Sequence, residues 1–239
     1  EANPGTVTAR QLIELQQMGF NRISFGVQSF YDQELIQLGR IHDVEDTMKA
    51  FRWAAQAGFT NLSLDLIFGL PGQNLARWKY SLKNALSLKP THISLYALTV
   101  EEQTPFHRWY QRGLMETIDD DLAADQYELA SEMLEQAGYS QYEISNWSIP
   151  GMECLHNLQY WRMKPYLGLG AGAHGYDCGK RMANVSWIGA YIKRMEEREV
   201  LEFPFSPANE SRILLEVADE MNEFMMVGLR LVNEGVSER

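Results

Sequence analysis

Along residues 8–145 the spacing of apolar positions switches repeatedly between a helical period and short strand-like runs. Thr8 opens a stretch in which Leu12, Ile13, Leu15 and Met18 lie on one side of a helix, and Gly19 ends it. Arg22 to Val27 reads as a strand. Asp43, with Asp46 three residues on, opens a second helix carrying Met48, Phe51, Trp53 and Ala54, and Gly58 closes it. Thr60 to Phe68 is apolar, β-branched and short, and breaks at Gly69-Leu70-Pro71-Gly72, which predicts a buried strand. A third helix, roughly Leu75 to Leu88, stops before Pro90, and His92 to Leu98 is the next strand. A fourth helix, roughly Asp120 to Gln136, ends at Gly138 and leads into a strand over Tyr139 to Ser145.

The joints resemble one another. Gly19-Phe20, Gly58-Phe59 and Gly138-Tyr139 each pair a glycine that stops a helix with an aromatic residue that opens the way to a strand. Repeated βα units give a parallel sheet with right-handed crossovers, and without a Rossmann glycine fingerprint they favour a barrel or part of one. From Asn184 the pattern changes: a helix over Ser186 to Glu197 carries Trp187, Ile188, Tyr191 and Ile192, and a longer helix spans Pro207 to Leu231. The expected division is therefore 1–183 for the barrel part and its extension and 184–239 for a helical segment opening a further domain. Met221, Phe224, Met225 and Met226 in the last helix read either as core or as a soft ligand-facing surface.

A chain of 239 residues at 45% hydrophobic buries a sizeable core, and its net charge of −11 argues against nucleic acid as a partner. The densest basic stretch, Lys193 to Arg198, is balanced by acids and reads as a solvated helix face. No apolar run is long enough for a membrane span and no signal peptide opens the chain. With two cysteines, Cys154 and Cys178, a cytoplasmic setting is expected. The chain opens on Glu1-Ala2-Asn3-Pro4 without Met and stops at Glu238-Arg239, so it reads as a piece of a longer protein.

In a barrel of this kind ligands gather at the C-terminal strand ends. Gln28 and Arg40 follow the first strand, Asp65 and Gln73 belong to the second, Tyr96 and Thr99 to the third, and Glu143, Ser145 and Asn146 to the fourth. An amide, a guanidinium and carboxylates on one rim suit a polar ligand bearing an ammonium, a carboxylate and a ribose. Asp65, an acid in a buried strand, is either structurally paired or faces that ligand.

Glu1-x-x-Pro4, Asn21 to Phe30, Leu38-Gly39-Arg40-x-His42, Asp65 to Gln73 and His156-Asn157-x-x-Tyr160-Trp161 stand in an order and spacing that resembles the oxygen-independent coproporphyrinogen oxidase-like radical SAM family, most of all its HemW-type, heme-chaperone branch. The resemblance implies a partial (β/α)6 barrel that binds S-adenosylmethionine over a 4Fe-4S cluster held by three cysteines, with a small helical domain after it. It implies that Glu1, Gln28, Arg40, Asp65 and His174 contact S-adenosylmethionine. The family's Cys-x-x-x-Cys-x-x-Cys motif is absent, and two cysteines cannot supply three thiolates, so the cluster is expected only in a full-length parent.

The resemblance further implies heme as a ligand and a heme-accepting protein as partner, with peripheral membrane association open to the full-length protein. Cys154 and His156 are candidate axial ligands, with Tyr160 and Trp161 offering faces to a macrocycle. The competing reading gives His156 and Asn157 a loop hydrogen-bonding role and Trp161 a place in the core. The enzymatic alternative within the family is an oxygen-independent coproporphyrinogen III oxidase, or dehydrogenase, of porphyrin biosynthesis.

Overall fold

The computed structural model describes residues 1–102, 104–113, 119–197 and 200–236. Arg198, in the basic stretch noted above, and the closing Glu238-Arg239 lie outside them. Two compact units are present, Glu1–Glu153 and Cys154–Arg239.

The first unit alternates α1 (Ala9–Gln17), β1 (Arg22–Gln28), α2 (Asp32–Gln37), α3 (Val44–Gln56), β2 (Asn61–Phe68), α4 (Leu75–Ser87), β3 (His92–Ala97), α5 (Pro105–Gln111), α6 (Asp120–Gln136), β4 (Ser140–Glu143) and β5 (Asn146–Ser148). Caps written in the sequence set the boundaries. Thr8 with Gln11, and Asp43 with Asp46, form capping boxes at α1 and α3, and Asn74 and Asp119 cap α4 and α6. Gly19, Gly58 and Gly138 all hold positive φ at the helix-to-strand joints, as their repetition predicts.

Strands β1, β2 and β3 pair in parallel, and the sheet order is β1-β2-β3-β5-β4. The expected fourth parallel strand over Tyr139 to Ser145 is instead an antiparallel hairpin, with β5 inserted against β3. The physical reason is the length of the connection: only Ile144 and Ser145 separate β4 from β5, and a parallel pair needs a crossover of a dozen residues or more.

The sheet has two unlike faces. Ile23, Phe25, Val27, Leu62, Leu64, Leu66, Phe68, Ile93, Leu95 and Trp147 point to the side where Leu12, Phe51, Ala54, Trp78, Leu82, Ala85 and Leu134 of the helices close the core. Each large side chain buried there contributes on the order of 2 kcal/mol. Alternate positions put Ser24, Ser63, Asp65, His92, Ser94, Asn146 and Ser148 on the other face. The Asp65 strand therefore is not apolar on both sides; its polar side belongs to the site.

The second unit runs α7 (Leu155–Trp161), β6 (His174–Asp177), β7 (Lys180–Asn184), α8 (Ile188–Glu196), β8 (Asn209–Leu214) and α9 (Val217–Gly228). Strands β6, β7 and β8 form an antiparallel sheet in that order. The chain divides between Glu153 and Cys154, whereas a division at 183 and 184 would fall inside β7, paired on both sides. The helix expected over Pro207 to Leu231 is two elements, because residues 209–214 pair with β7 and the helix begins only at Val217. Pairing with a ready strand edge overrides local helix preference.

Helix α9 turns its charged side inward. Tyr176 Oη donates to Glu220 Oε1 at 2.7 Å, and Arg181 Nε donates to Glu223 Oε2 at 2.7 Å. Met221, Met225, Met226 and Leu229 are exposed at 64%, 47%, 66% and 60%, so the methionine stripe is surface rather than core. Among the described residues no helix is long and apolar enough to cross a membrane.

Candidate functional site

Three of the expected site residues line one polar cavity of about 350 Å³: Glu1, Gln28 and Asp65, together with Ala2, Asn3, Thr6 and Gly26. Glu1 arrives there because Ala2 bridges to Phe25 in parallel, its N–H donating to Ser24 O and its carbonyl accepting from Gly26 N–H, as if adding a short strand to the edge of β1. Gln28 arrives there because β1 ends in an irregularity. The β1–β2 register shifts between Phe25 and Gln28, and Gln28 sits at φ 68°, a left-handed conformation rare for a side chain with a Cβ. Gly26 makes room for its amide: a Cβ at position 26 would lie 2.8 Å from Gln28 Nε2 and 3.2 Å from Asn3 Oδ1.

Asp65 lies on the polar face between Ser24 and Ser94. Ser24 Oγ donates to its carboxylate at 2.9 and 3.0 Å. Burial pushes the Asp65 carboxyl above its ordinary value, the hydrogen bonds from Ser94 and Ser24 act the other way, and the nearby Glu1 charge adds to the rise. Asp65 is thus both paired within the sheet and presented to the cavity.

Behind the site are polar groups that sequence reasoning missed or misjudged. Gln73 turns away from the rim: it is 1% exposed, and its Nε2 donates to Glu34 Oε2 at 3.0 Å. Glu34, on the short helix α2, is 2% exposed. His92 is fully buried, with Nδ1 2.8 Å from Ser63 Oγ and Nε2 2.8 Å from Tyr142 Oη. Burial, helped by the Arg22 charge, lowers its pKa to about 3, so the imidazole is neutral and donates through one nitrogen while accepting at the other. The only sequence signal for this pair was the alternation that puts Ser63 and His92 on the polar face.

The remaining candidates stand elsewhere. Arg40 follows α2, half-buried, with a buried Nε that has no hydrogen-bond partner among the described residues. His174 opens β6 in the second unit and is exposed. Cys154 is buried at the N-cap of α7, whereas His156 is exposed in the first turn of that helix. Tyr160 Oη and His156 Nε2 are 2.9 Å apart, the rings meet edge to face at 4.8 Å, and Tyr160 stacks edgewise on Tyr166 at 4.5 Å. Trp161 packs its ring under the Arg230 guanidinium at 4.4 Å. A further cavity of about 480 Å³ at the exit of β2 is lined, among the described residues, by Gly69, Leu70, Gly72, Gln73, Asn74, Asp119 and Leu122, which offer one carboxylate.

The polar groups of the cavity suit a ligand with an ammonium and a ribose: the carboxylates of Glu1 and Asp65 accept, and the amides of Asn3 and Gln28 both donate and accept. The described residues include no group of three or more His, Cys, Asp or Glu placed to hold a metal ion. With two cysteines in the sequence, both in the second unit, the residues present do not fit a three-thiolate cluster.

Residues 1–85 match the radical SAM superfamily. The chain is 41% identical over 239 residues to the heme chaperone HemW of Bacillus subtilis strain 168, covering 100% of this chain and 61% of that protein. It is 37% identical over 241 residues to HemW of Escherichia coli K12, covering 96% of this chain and 62% of that protein. The chain thus spans about three fifths of the length of these curated relatives. Among solved structures, coproporphyrinogen III oxidase (HemN) from Escherichia coli, described as a radical SAM enzyme, superposes with a TM-score of 0.76 over 96% of this chain and 54% of that one, at 21% identity. Residues 1–85 thus match a radical SAM domain, the chain is similar along its whole length to heme chaperones of the HemW type, and its fold is that of the solved HemN structure.

Proposed function

We propose that this chain is the greater part of a cytoplasmic heme chaperone: a protein that binds heme and hands it to an acceptor protein, with an S-adenosylmethionine site in its first unit. The observation that carries the reading is the 41% identity, along the entire chain, to a protein named heme chaperone. The polar cavity supports the nucleotide half. Glu1 and Asp65 are placed to accept from the methionyl ammonium and the ribose hydroxyls, and Gln28 to donate to the methionyl carboxylate. S-adenosylmethionine supplies, when bound, a sulfonium that a single electron cleaves. This chain's own part is to bind and orient it; no step is assigned through the cluster, whose thiolates these residues do not provide. Arg40, in the same unit, is assigned to the same nucleotide by its motif position.

For heme, His156 is the ligand of choice. It is the solvent-facing member of the Cys154 and His156 pair, and an imidazole nitrogen suits heme iron. His156 Nε2, which shares a hydrogen bond with the Tyr160 hydroxyl, would hold the iron, and Tyr160, packed on Tyr166, would offer an aromatic contact beside it.

The test uses the full-length protein, anaerobically reconstituted with iron and sulfide. Heme is added and absorbance followed; separately, coproporphyrinogen III is added with S-adenosylmethionine and reductant and the product weighed by mass spectrometry. Stoichiometric heme uptake that is lost in His156→Ala, with no decarboxylated product, is the expected result. Loss of carboxyl groups from the porphyrinogen instead makes the protein an oxidase and overturns the chaperone reading.

A further inference from the structure

The backbone at Gln28 is held in an unfavourable state, and one of the groups that hold it, Ser29, is anchored on a buried carboxylate. Ser29 N–H donates to Val27 O at 2.8 Å, closing a three-residue turn with Gln28 at its centre at φ 68°. This is the strained hand of the γ-turn, which persists only where its surroundings enforce it. Gln28 itself lends the turn no glycine-like freedom, so the enforcement comes from behind.

Four side chains supply it. His42 Nε2 lies 3.2 Å from Val27 O, Ser81 Oγ accepts from Phe30 N–H at 3.2 Å, and Ser29 Oγ donates to Glu34 Oε2 at 2.5 Å while accepting from Tyr31 N–H at 3.0 Å. Glu34 is the charged member. The same Oε2 accepts from Gln73 Nε2, and Gln126 carries the connection onward: its Nε2 donates to Gln73 O at 3.1 Å, and its Oε1 accepts from Gly69 N–H at 2.8 Å. One carboxylate therefore ties the exit of β1, which carries Gln28, to the exit of β2, which carries Asp65.

A carboxylate is a costly group to place there. Glu34 is 2% exposed, the Ser29 hydroxyl and Gln73 amide that donate to it are uncharged, and among the described residues its Oε1 is buried without a partner. An apolar side chain of similar size would avoid the desolvation but would leave the Ser29 hydroxyl and the Gln73 amide unsatisfied. A buried ionisable group kept at such expense, one residue removed from a strained site residue, points to a role in the site.

We propose that Glu34 is a positioning residue for ligand binding: through Ser29 it holds the left-handed turn that aims the Gln28 amide into the polar cavity. This inference rests on the reading of that cavity as an S-adenosylmethionine site. The sequence motif Gln28-Ser29-Phe30 followed by Glu34 then has a physical meaning, with one residue touching the ligand, one relaying and one anchoring.

The test is a double-mutant cycle in the full-length reconstituted protein, with S-adenosylmethionine as the titrant in anaerobic calorimetry and thermal unfolding run alongside. Gln28→Ala weakens binding about tenfold and Glu34→Leu does nearly the same, while Gln28→Ala/Glu34→Leu binds no more weakly than Gln28→Ala alone, because Glu34 acts through Gln28. Glu34→Gln, which keeps an acceptor oxygen for Ser29 and Gln73, recovers most of the affinity. Should Glu34→Leu fail to fold, Ser29→Ala takes its place in the cycle with the same expectation.

A Glu34→Leu protein that melts earlier yet binds with unchanged affinity overturns the inference and makes Glu34 a stability residue only. So does a double variant in which the two losses multiply. Wild-type protein that shows no binding, or binding indifferent to Gln28→Ala, overturns the underlying assignment of the cavity instead, and that outcome is recognisable before any Glu34 variant is made.

Discussion

Helices α4 and α9 carry comparable mixtures of apolar and polar residues and are mounted in opposite senses. In the first unit α4 puts Trp78, Leu82 and Ala85 fully into the core and leaves Lys79 and Lys83 to solvent. In the second unit α9 puts Glu220 and Glu223 against Tyr176 and Arg181 and leaves Met221, Met225 and Met226 outside. The difference lies in what each sheet offers. The helix-facing side of β1–β3 is a continuous apolar surface, whereas β6 and β7 present a phenol and a guanidinium to α9. Amphipathic spacing says that a helix has two sides; the partner decides which one is inside.

That contrast is open to direct attack. The largest effect is expected from acid, which acts on the neutral polar face of the first unit. His92 titrates at about 3 when folded and near 6.5 when unfolded. The unfolded chain binds the extra proton between those values, so stability is full above pH 6.5 and falls as pH drops toward 3, by on the order of 5 kcal/mol over the whole window. Urea unfolding at stepped pH measures it, and a His92→Asn protein that retains the same slope removes His92 as the cause.

Next comes Trp78→Ala, which empties a fully buried site and deletes the Nε1 donor to Gln126 O at 2.8 Å. A loss of about 3 to 5 kcal/mol is expected in denaturant titrations. Asp65→Asn separates stability from binding. Because burial disfavours its charge in the folded state, neutralising it raises the melting temperature, while S-adenosylmethionine binding weakens about tenfold. A variant that melts earlier and binds normally contradicts both halves.

In the second unit the corresponding change is Arg181→Met, which removes the half-buried pair with Glu223. It is expected to cost about 1 kcal/mol, an amount that shrinks as salt is added to the wild type. Smallest of all is Met225→Ser on the outer side of α9, expected to stay within about 0.5 kcal/mol of wild type. A loss comparable to Trp78→Ala would show that α9 is mounted apolar side inward after all.

What was legible in the sequence follows the range of the interactions. The capping boxes at Thr8 and Asp43 and the glycine joints are settled within a few residues, and the first three strands follow from them. The β4–β5 hairpin and strand β8 depend on which edge they meet, and local pattern misassigned both. At the site, Gln28 and Asp65 were readable as polar residues at strand ends. The inward turn of Gln73 was not, because its partner Glu34 is 39 positions away. Neither was the burial of Glu34, which local pattern leaves indistinguishable from any acid on a short surface helix.

The hydrogen bond between Ser24 and Asp65 joins residues 41 positions apart, across a complete crossover through α2 and α3. Closing a segment of that length costs chain entropy that no contact inside the cavity repays until β1 and β2 have aligned. The antiparallel β6–β7 hairpin, turned at Cys178 and Gly179, meets no such barrier. In refolding followed by pulsed hydrogen exchange, the amides of that hairpin should therefore gain protection first. Gly26 N–H, whose acceptor is Ala2 O, should be among the slowest, so that the protein is largely folded before it has a binding site.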